Sequence, residues 1–276
     1  MDGYPPACYR HPDRPTRLSC SSCGRPICAG CSHDAAVGQK CPACVTPEGR
    51  TRVVTPGAIT HTDRHTTPLT IVLIALNCAV WAIGTLAPDI GNRLFVEGAQ
   101  WRPAIAAGEW WRGLSAMFLH ATSPFHIMFN MWALWVFGPT LERRWGTLPF
   151  GALYLAGGLG GSALFFALGS TNPAVGASGA IFGLLGAVLV ASYRQRHTGP
   201  GRAVFTQLTI LLAINLMLPL ISPRIAWEAH LGGLATGIAV AFAWERLAAG
   251  GRHHVMRRAL IGLGPAAVAL TVLIIG

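Results

Sequence analysis

Seven long apolar stretches follow a polar N-terminal segment of the chain. They lie near residues 68–87, 124–141, 148–168, 177–192, 204–221, 227–244 and 259–275. Each is close to the roughly 20 residues that an α-helix needs to cross the hydrocarbon core of a bilayer. The pattern therefore predicts an all-α polytopic membrane helix bundle with seven transmembrane helices and a small, separate N-terminal domain.

Composition supports a membrane protein. Of the 276 residues, 52% are hydrophobic and 12% charged, which is too apolar for an ordinary soluble domain of this size. The net charge is +10, but the arginines lie in short groups between the apolar stretches and form no continuous face. We therefore expect a lipid bilayer and not nucleic acid as the partner. The preference for arginine over lysine, with Lys40 the only lysine, is typical of a GC-rich bacterial genome.

Alternate connections between the apolar stretches carry the basic residues. These are Arg50, Arg52 and Arg64 before the first stretch, Arg143 and Arg144 after the second, Arg194, Arg196 and Arg202 after the fourth, and Arg246, Arg252, Arg257 and Arg258 after the sixth. Basic loops stay on the cytoplasmic side of a membrane. The pattern predicts a multi-pass plasma-membrane protein with a cytoplasmic N-terminus, an outer loop at 88–123 and a C-terminus outside. No cleavable signal pattern precedes the first stretch.

The N-terminal segment carries four pairs of potential metal ligands, each pair spaced by two residues. The ligands are Cys8, His11, Cys20, Cys23, Cys28, Cys31, Cys41 and Cys44. Eight ligands predict two structural Zn²⁺ ions, and metal binding would supply the folding energy that so small a core lacks. A disulfide cluster and a redox CxxC are the alternatives, and both fit four adjacent pairs less well.

The pairing of these ligands is left open by the spacing. Only four residues separate the second pair from the third, which favours an interleaved arrangement, Cys8/His11 with Cys28/Cys31 and Cys20/Cys23 with Cys41/Cys44, over a sequential one. His33 could replace one ligand. The spacing resembles that of B-box and related cross-brace zinc fingers. We therefore divide the chain into a zinc-binding domain at 1–45, a flexible linker at 46–67 and a membrane domain at 68–276. The zinc-binding domain could bind a cytoplasmic protein.

Two polar residues of catalytic type begin two of the apolar stretches. Ser178 lies near the start of the fourth stretch and His230 near the start of the sixth. Both stretches are predicted to run from outside to inside, so the two residues lie at similar depth. Glycines along both stretches, Gly179 and Gly183 in one and Gly233 and Gly237 in the other, would allow the two helices to approach closely. The sequence thus predicts a Ser178–His230 nucleophile and base.

The second stretch contributes two further polar groups. His126 and Asn130 are four residues apart, so they share one face of the helix. Polar side chains within a membrane span usually mark a functional site, because lipid cannot satisfy them. These two side chains suit hydrogen-bond donation to an oxyanion.

Taken together, these motifs resemble those of the rhomboid intramembrane serine proteases over about residues 66–250. The matching positions are Trp111-Arg112, His120, His126-x3-Asn130, Gly176-Ala-Ser178-Gly and Ala229-His230-Leu-Gly-Gly233-x3-Gly237. The resemblance implies a Ser178 nucleophile and a His230 base without a carboxylate partner. It also implies an oxyanion site formed by the Ser178 backbone N–H with His126 and Asn130.

The same resemblance implies further properties. The first outer loop would lie partly in the membrane, held by Trp111, Arg112 and Glu142. Transmembrane protein substrates would enter beside the fifth helix and be cut near the outer face. The seventh helix matches the six-plus-one layout of the family, while the zinc-binding segment lies outside its common core.

Two alternatives to a protease come from other functional classes. A catalytically inactive rhomboid-like protein would bind membrane helices without cutting them, but the presence of both Ser178 and His230 argues against it. A transporter or channel would use the histidines as a proton relay, and it would be expected to show inverted repeats, which the sequence lacks.

Overall fold

The computed structural model describes residues 5–35, 38–45, 66–221, 225–246 and 254–275. The chain divides into two compact units, Met1–Arg64 and His65–Gly276. Apart from residues 66 and 67, the predicted linker at 46–67 lies outside the described residues.

The first unit has a very small core. Its strands form two antiparallel pairs, β1 (Ala7–Cys8) with β2 (His11–Pro15) and β3 (His33–Asp34) with β4 (Gln39–Lys40), and a 3₁₀ turn spans Ala29–Cys31. The buried apolar residues are five cysteines and Ile27. So little apolar area cannot offset the entropy of ordering the chain, and the unit therefore depends on something else to stay folded.

In the described part of the second unit, the regular elements are α-helices, apart from a 3₁₀ turn at Ala116–Phe118 and an isolated β-bridge between Gln100 and Ala174. Its helices among the described residues are α1 (Pro68–Leu86), α2 (Pro88–Gly98), α3 (Arg102–Ala106), α4 (Arg112–Ser115), α5 (Pro124–Trp145), α6 (Thr147–Leu168), α7 (Ser178–Arg194), α8 (Gly199–Ile221), α9 (Trp227–Arg246) and α10 (His254–Ile275).

All seven predicted apolar stretches coincide with a helix, namely α1 and α5 to α10. The segment 88–123 differs from the prediction, because it contains three short helices where a long loop was expected. Proline occupies the first turn of α2 and of α3, where its missing N–H costs nothing. These short helices lack the long apolar run by which the membrane helices were recognised.

Four helices in the described part of the chain are long and apolar enough to cross a membrane. They are Pro68–Leu86, Thr147–Leu168, most of α8 (Gly199–Pro219) and His254–Ile275, with Ser178–Arg194 as a shorter apolar helix. The helices α5 and α9 are not among the four, and both carry polar candidate residues. The protein is thus a helical membrane protein in which the site residues make two of the helices less apolar.

The centre of the bundle is a close contact among α6, α7 and α9. A Cβ atom added to Gly183 of α7 would lie 2.8 Å from the Cα atom of Gly157 of α6. A Cβ atom added to Gly237 of α9 would collide with the carbonyl oxygen of Gly183, and one added to Gly233 would collide with that of Gly179. The backbones therefore touch directly, as the glycine spacing predicts.

A buried carboxylate joins α5 to the beginning of α1. Glu142 accepts hydrogen bonds from the backbone N–H groups of Leu69 and Thr70 at 3.0 and 2.9 Å and from the Thr70 hydroxyl at 2.7 Å. The Thr147 hydroxyl, at the start of α6, donates a fourth at 3.0 Å. Free N–H groups at a helix N-terminus favour a negative charge, so Glu142 satisfies the end of α1 inside the protein.

The last helix packs against α6 and also reaches the segment between α1 and α5. The Leu273 side chain is buried and lies against Gly113 of α4, where an added Cβ atom would collide with it. The Ser162 hydroxyl of α6 donates a 2.8 Å hydrogen bond to the Gly113 carbonyl. The position of α4 is therefore set by both α6 and α10.

We expect Gly237→Ala to lower the free energy of unfolding by about 1–3 kcal/mol, because the added methyl group forces α7 and α9 apart. Thermal unfolding in detergent measures this effect. Gly199→Ala is the matched control, since nothing lies within 4 Å of a Cβ atom added there. An equal loss of stability in both variants would show that the contact between α7 and α9 is not tight.

Candidate functional site

Ser178 and His230 are in hydrogen-bond contact. Ser178 is the first residue of α7 and His230 lies in the first turn of α9, and the distance between Ser178 Oγ and His230 Nε2 is 2.9 Å. The close packing of these two helices brings the side chains together, because both project from the same end of the contact. The structure therefore brings together the two residues that the sequence singled out.

The segment before α7 is held by the region between α1 and α5. The backbones of Gln100 and Ala174 form two hydrogen bonds of 2.9 and 2.8 Å, and the Gly176 N–H donates to the Ala116 carbonyl at 2.9 Å. The Gln100 side chain donates a 2.6 Å bond to the Ser162 carbonyl of α6. The segment leading into α7 is thus fixed by three backbone hydrogen bonds to Gln100 and Ala116.

Gly176 has a conformation that other residues rarely adopt. Its φ angle is +135°, and a Cβ atom added there would lie 2.9 Å from His126 Nε2. Only glycine meets both conditions. The chain can therefore turn into α7 directly beside the His126 ring.

A phenylalanine that the sequence analysis did not single out supports the imidazole of His230. The rings of Phe182 and His230 stack in parallel, with 4.2 Å between centroids and 7° between planes. Phe182 lies four residues after Ser178, hence on the same face of α7. The four-residue spacing of Ser178 and Phe182 could therefore have predicted from the sequence that Phe182 lies beside the site. The stack fixes the plane of the imidazole, so Nε2 stays directed at Ser178.

The other ring nitrogen of His230 is buried and has no hydrogen-bond partner among the described residues. Glu228 is buried two residues earlier on α9 but does not bond to it. The described residues thus contain a serine and a histidine without a carboxylate third member, as the spacing of Glu228 and His230 predicts.

His126 and Asn130 lie on one face of α5 near this pair. The Ala121 N–H donates to His126 Nδ1 at 3.4 Å, so Nδ1 acts as an acceptor and Nε2 carries the proton. Nε2 is the atom beside Gly176. The Asn130 amide is buried and donates one 2.8 Å hydrogen bond to the His126 carbonyl, which leaves its second N–H available.

A cavity of about 30 Å³ adjoins Ser178. Its lining includes Gln100, Ser162, Gly176 and Ala229. A space of this size with polar groups on its walls can hold water. Water can therefore lie next to the Ser178 hydroxyl inside the bundle.

Of the remaining residues of the motif, Arg112 and His120 contact other parts of the protein. The buried Arg112 side chain bonds to Glu109 at 2.7 Å and to the Val96 and Ala99 carbonyls at 2.7 and 3.1 Å, which fixes the turn after α2. Trp111 is exposed. The His120 ring lies 5.1 Å from that of His126.

Glu142 does not hold the segment 88–123, contrary to expectation. It binds the N-terminus of α1 instead, because it lies at the opposite end of α5 from His126.

Comparison with known proteins agrees with this geometry. The Rhomboid domain matches residues 107–246, about half of the chain, including Ser178, His230, His126 and Asn130. The chain belongs to the rhomboid family. It is 39% identical over 150 residues to the rhomboid protease GluP of Bacillus subtilis, covering 54% of this chain and 29% of the relative.

Two further relatives come from a bacterium and a plant. YdcA of Bacillus subtilis is 32% identical over 182 residues, which cover 63% of this chain and 87% of the relative. RHOMBOID-like protein 9, chloroplastic, of Arabidopsis thaliana is 32% identical over 180 residues, which cover 62% of this chain and 41% of the relative. This rhomboid chain thus spans less than half the length of GluP and of the plant protein.

The N-terminal cysteines form two clusters in the first unit. One contains Cys8, His11, Cys28 and Cys31, and the other contains Cys20, Cys23, Cys41 and Cys44. This is the interleaved grouping, so the sequential alternative is wrong. His33, in β3, belongs to neither cluster.

The ligand spacings fit a tetrahedral zinc ion. Three cysteine sulfurs lie 3.3 to 3.8 Å from His11 Nδ1, and Cys23 Sγ lies 3.8 Å from Cys41 Sγ. With Zn–S bonds of about 2.3 Å, tetrahedral ligands are separated by about 3.8 Å. A hydrogen bond from the Cys41 backbone lowers the pKa of Cys20 to about 6, whereas hydrogen bonds with Cys41 and Cys23 raise the pKa of Cys44 to about 12. A bound cation would favour the thiolate at both positions.

We expect two zinc ions per chain, measured by elemental analysis of the purified full-length protein. Cys28→Ser and Cys41→Ser should each lower the zinc content to about one, because each removes a ligand from a different cluster. Cys78→Ser is the matched control, since Cys78 lies in α1 and outside both clusters. Fewer than two ions in the wild type would contradict two zinc sites.

Proposed function

We propose that this rhomboid protein is an intramembrane serine endopeptidase with Ser178 as nucleophile and His230 as general base. The observation that carries the proposal is the 2.9 Å contact between Ser178 Oγ and His230 Nε2 at the same end of two helices packed backbone to backbone. A serine hydroxyl becomes a nucleophile when an adjacent base accepts its proton. The relative GluP is named a rhomboid protease, which supports peptide-bond hydrolysis as the reaction.

The proposed reaction has two stages. His230 Nε2 accepts the Ser178 proton as Oγ attacks the carbonyl carbon of a peptide bond, and the imidazolium then donates that proton to the leaving amine. A water molecule next attacks the acyl-serine with His230 again as the base, which releases the carboxylate product and restores the hydroxyl. Phe182 keeps the imidazole plane fixed in both stages.

Three donors are available for the oxyanion. The Ser178 backbone N–H begins α7 and has no acceptor within the helix. His126 Nε2–H and the free N–H of the Asn130 amide lie on the adjacent face of α5. Donors held in place in a water-poor site stabilise developing negative charge strongly, because they need no reorganisation.

The proposed substrates are transmembrane segments of other proteins. Ser178 begins a membrane helix, so a substrate must present its peptide bond at that depth. The arginine distribution supports an orientation with the N-terminus in the cytoplasm and the C-terminus outside, in the plasma membrane of a bacterium. Ser178 would then lie near the outer face.

The N-terminal unit is proposed to be a zinc-binding domain at 1–45 that carries two structural Zn²⁺ ions. Four protein ligands at each ion leave no open position for catalysis. The domain would thus serve to bind a cytoplasmic protein, with 46–67 as the linker to the protease domain at 68–276.

We expect Ser178→Ala to lower cleavage of a model transmembrane substrate in detergent by about 10³-fold or more, because the nucleophile is lost. His230→Ala should have a comparable effect. Ser192→Ala is the matched control on the same helix, since Ser192 lies at the other end of α7 and its hydroxyl donates to the Leu189 carbonyl.

A fluorophosphonate probe gives a second readout that needs no substrate. It should label Ser178 in the wild type and in Ser192→Ala, but not in Ser178→Ala. Substrate capture with neither labelling nor cleavage would favour the alternative of a catalytically inactive helix-binding rhomboid. Cleavage that persists in Ser178→Ala would exclude Ser178 as nucleophile.

His126→Ala should lower kcat by about 10²- to 10³-fold with little change in KM, because the oxyanion forms only in the transition state. Steady-state kinetics with the same substrate measures both constants. His197→Ala is the control, since His197 is exposed. A rise in KM at unchanged kcat would assign His126 to substrate binding instead.

A further inference from the structure

The end of the bundle opposite to Ser178 carries a cluster of three arginines around one glutamate. The arginine cluster consists of Arg144 of α5, Arg194 of α7 and Arg258 of α10, and the glutamate is Glu245 of α9. Ser178 and Arg194 are the first and last of the 17 residues of α7. The arginine cluster therefore lies about 25 Å from the proposed catalytic pair.

One carboxylate cannot neutralise this arginine cluster. Arg144 Nη2 lies 3.1 Å from one oxygen of Glu245, and Arg194 Nε lies 3.8 Å from the other. Arg258 lies one turn before Gly262 of α10, where an added Cβ atom would lie 3.1 Å from the ring of Trp244, the residue before Glu245. Among the described residues, Glu245 is the only acid paired with these arginines, which leaves an excess of two positive charges.

Arg258 also presents an unused hydrogen-bond donor. Its Nε–H is buried and has no acceptor among the described residues. A buried donor without a partner is costly. An anionic ligand with several oxygens would accept from this donor and offset the excess positive charge, since a guanidinium binds such groups through parallel hydrogen bonds.

The surroundings of the arginine cluster are rigid. Trp145 follows Arg144 in the chain, and Trp244 precedes Glu245. The two tryptophan side chains are buried, and their rings pack edge to face with 4.9 Å between centroids. The Arg144 guanidinium lies 5.7 Å from the Trp145 ring centroid. The side chains that would hold a ligand therefore project from four packed helices instead of a loop.

We propose that the arginine cluster binds a phosphate group, with the headgroup of an anionic phospholipid as its source. The cluster lies at the ends of membrane helices, where phospholipid headgroups are the most abundant anions. Basic sites between membrane helices are suited to such headgroups. The Arg258 Nε–H and the free N–H groups of Arg144 would donate to the phosphate oxygens, while Glu245 would keep the Arg144 guanidinium oriented.

The test measures lipid binding to the full-length protein in a neutral, phosphate-free detergent. Dioctanoyl phosphatidylglycerol is titrated, and bound lipid is counted by native mass spectrometry with the melting temperature as a second readout. Arg258→Gln should weaken binding by about tenfold or more, the usual effect of losing a charge-assisted hydrogen bond. The matched control is Arg257→Gln, which removes the same charge from the adjacent, exposed position of α10.

Each outcome decides the proposal. Unchanged affinity in Arg257→Gln with loss in Arg258→Gln supports a defined phosphate site, and equal loss in both overturns it in favour of diffuse attraction. Inorganic phosphate at the same concentration should have no effect, and an effect equal to that of the lipid would make the source free phosphate. Dioctanoyl phosphatidylcholine should bind more weakly, because the arginines repel its ammonium group.

A second variant guards against a folding defect. Arg258→Lys keeps the charge but loses the planar, two-pronged donor. It should retain the wild-type melting temperature without lipid and show weaker lipid binding than Arg257→Lys. Identical binding in the two lysine variants would overturn the assignment of Arg258.

Discussion

The direct contact of glycine backbones among α6, α7 and α9 is the constraint on which the rest of this rhomboid structure depends. Lipid provides no hydrophobic force that would drive helices together, so close packing must do so. Gly157, Gly183 and Gly237 allow an approach that any side chain would prevent. The 2.9 Å separation of Ser178 Oγ and His230 Nε2 follows from that approach, since the two side chains are too short to meet across a wider gap.

Two buried charged side chains of the helical unit are satisfied within the protein. Glu142 accepts four hydrogen bonds at the starts of α1 and α6, and Arg112 bonds to Glu109 and two carbonyls after α2. Among the described residues of this unit, the buried polar atoms without a partner include His230 Nδ1 and Arg258 Nε, and also atoms of Asn77, His120, Tyr154 and Trp244. His230 Nδ1 belongs to the proposed catalytic pair and Arg258 Nε to the proposed phosphate site.

The sequence predicts those features that depend on local periodicity. The apolar runs predict the membrane helices, the glycine spacing predicts the α7 and α9 contact, and the short gap between Cys23 and Cys28 favours the interleaved clusters. The features that the sequence does not predict depend on tertiary contacts. Glu142 could not be assigned to the start of α1, because the two are far apart in the chain and only folding brings them together. The helices α3 and α4, of five and four residues, are too short for a periodic pattern to stand out.

The contact between Leu273 and Gly113 has a consequence for how the protein matures. Membrane helices enter the bilayer in the order of synthesis, and α10 follows every other helix described here. The segment that carries Gly113 and, through Ala116, anchors Gly176 cannot complete its packing before α10 has inserted. A ribosome-bound intermediate would thus already contain Ser178 and His230 while the segment that anchors Gly176 was still incompletely packed. The start of α7 would reach its final position only after translation has passed α10.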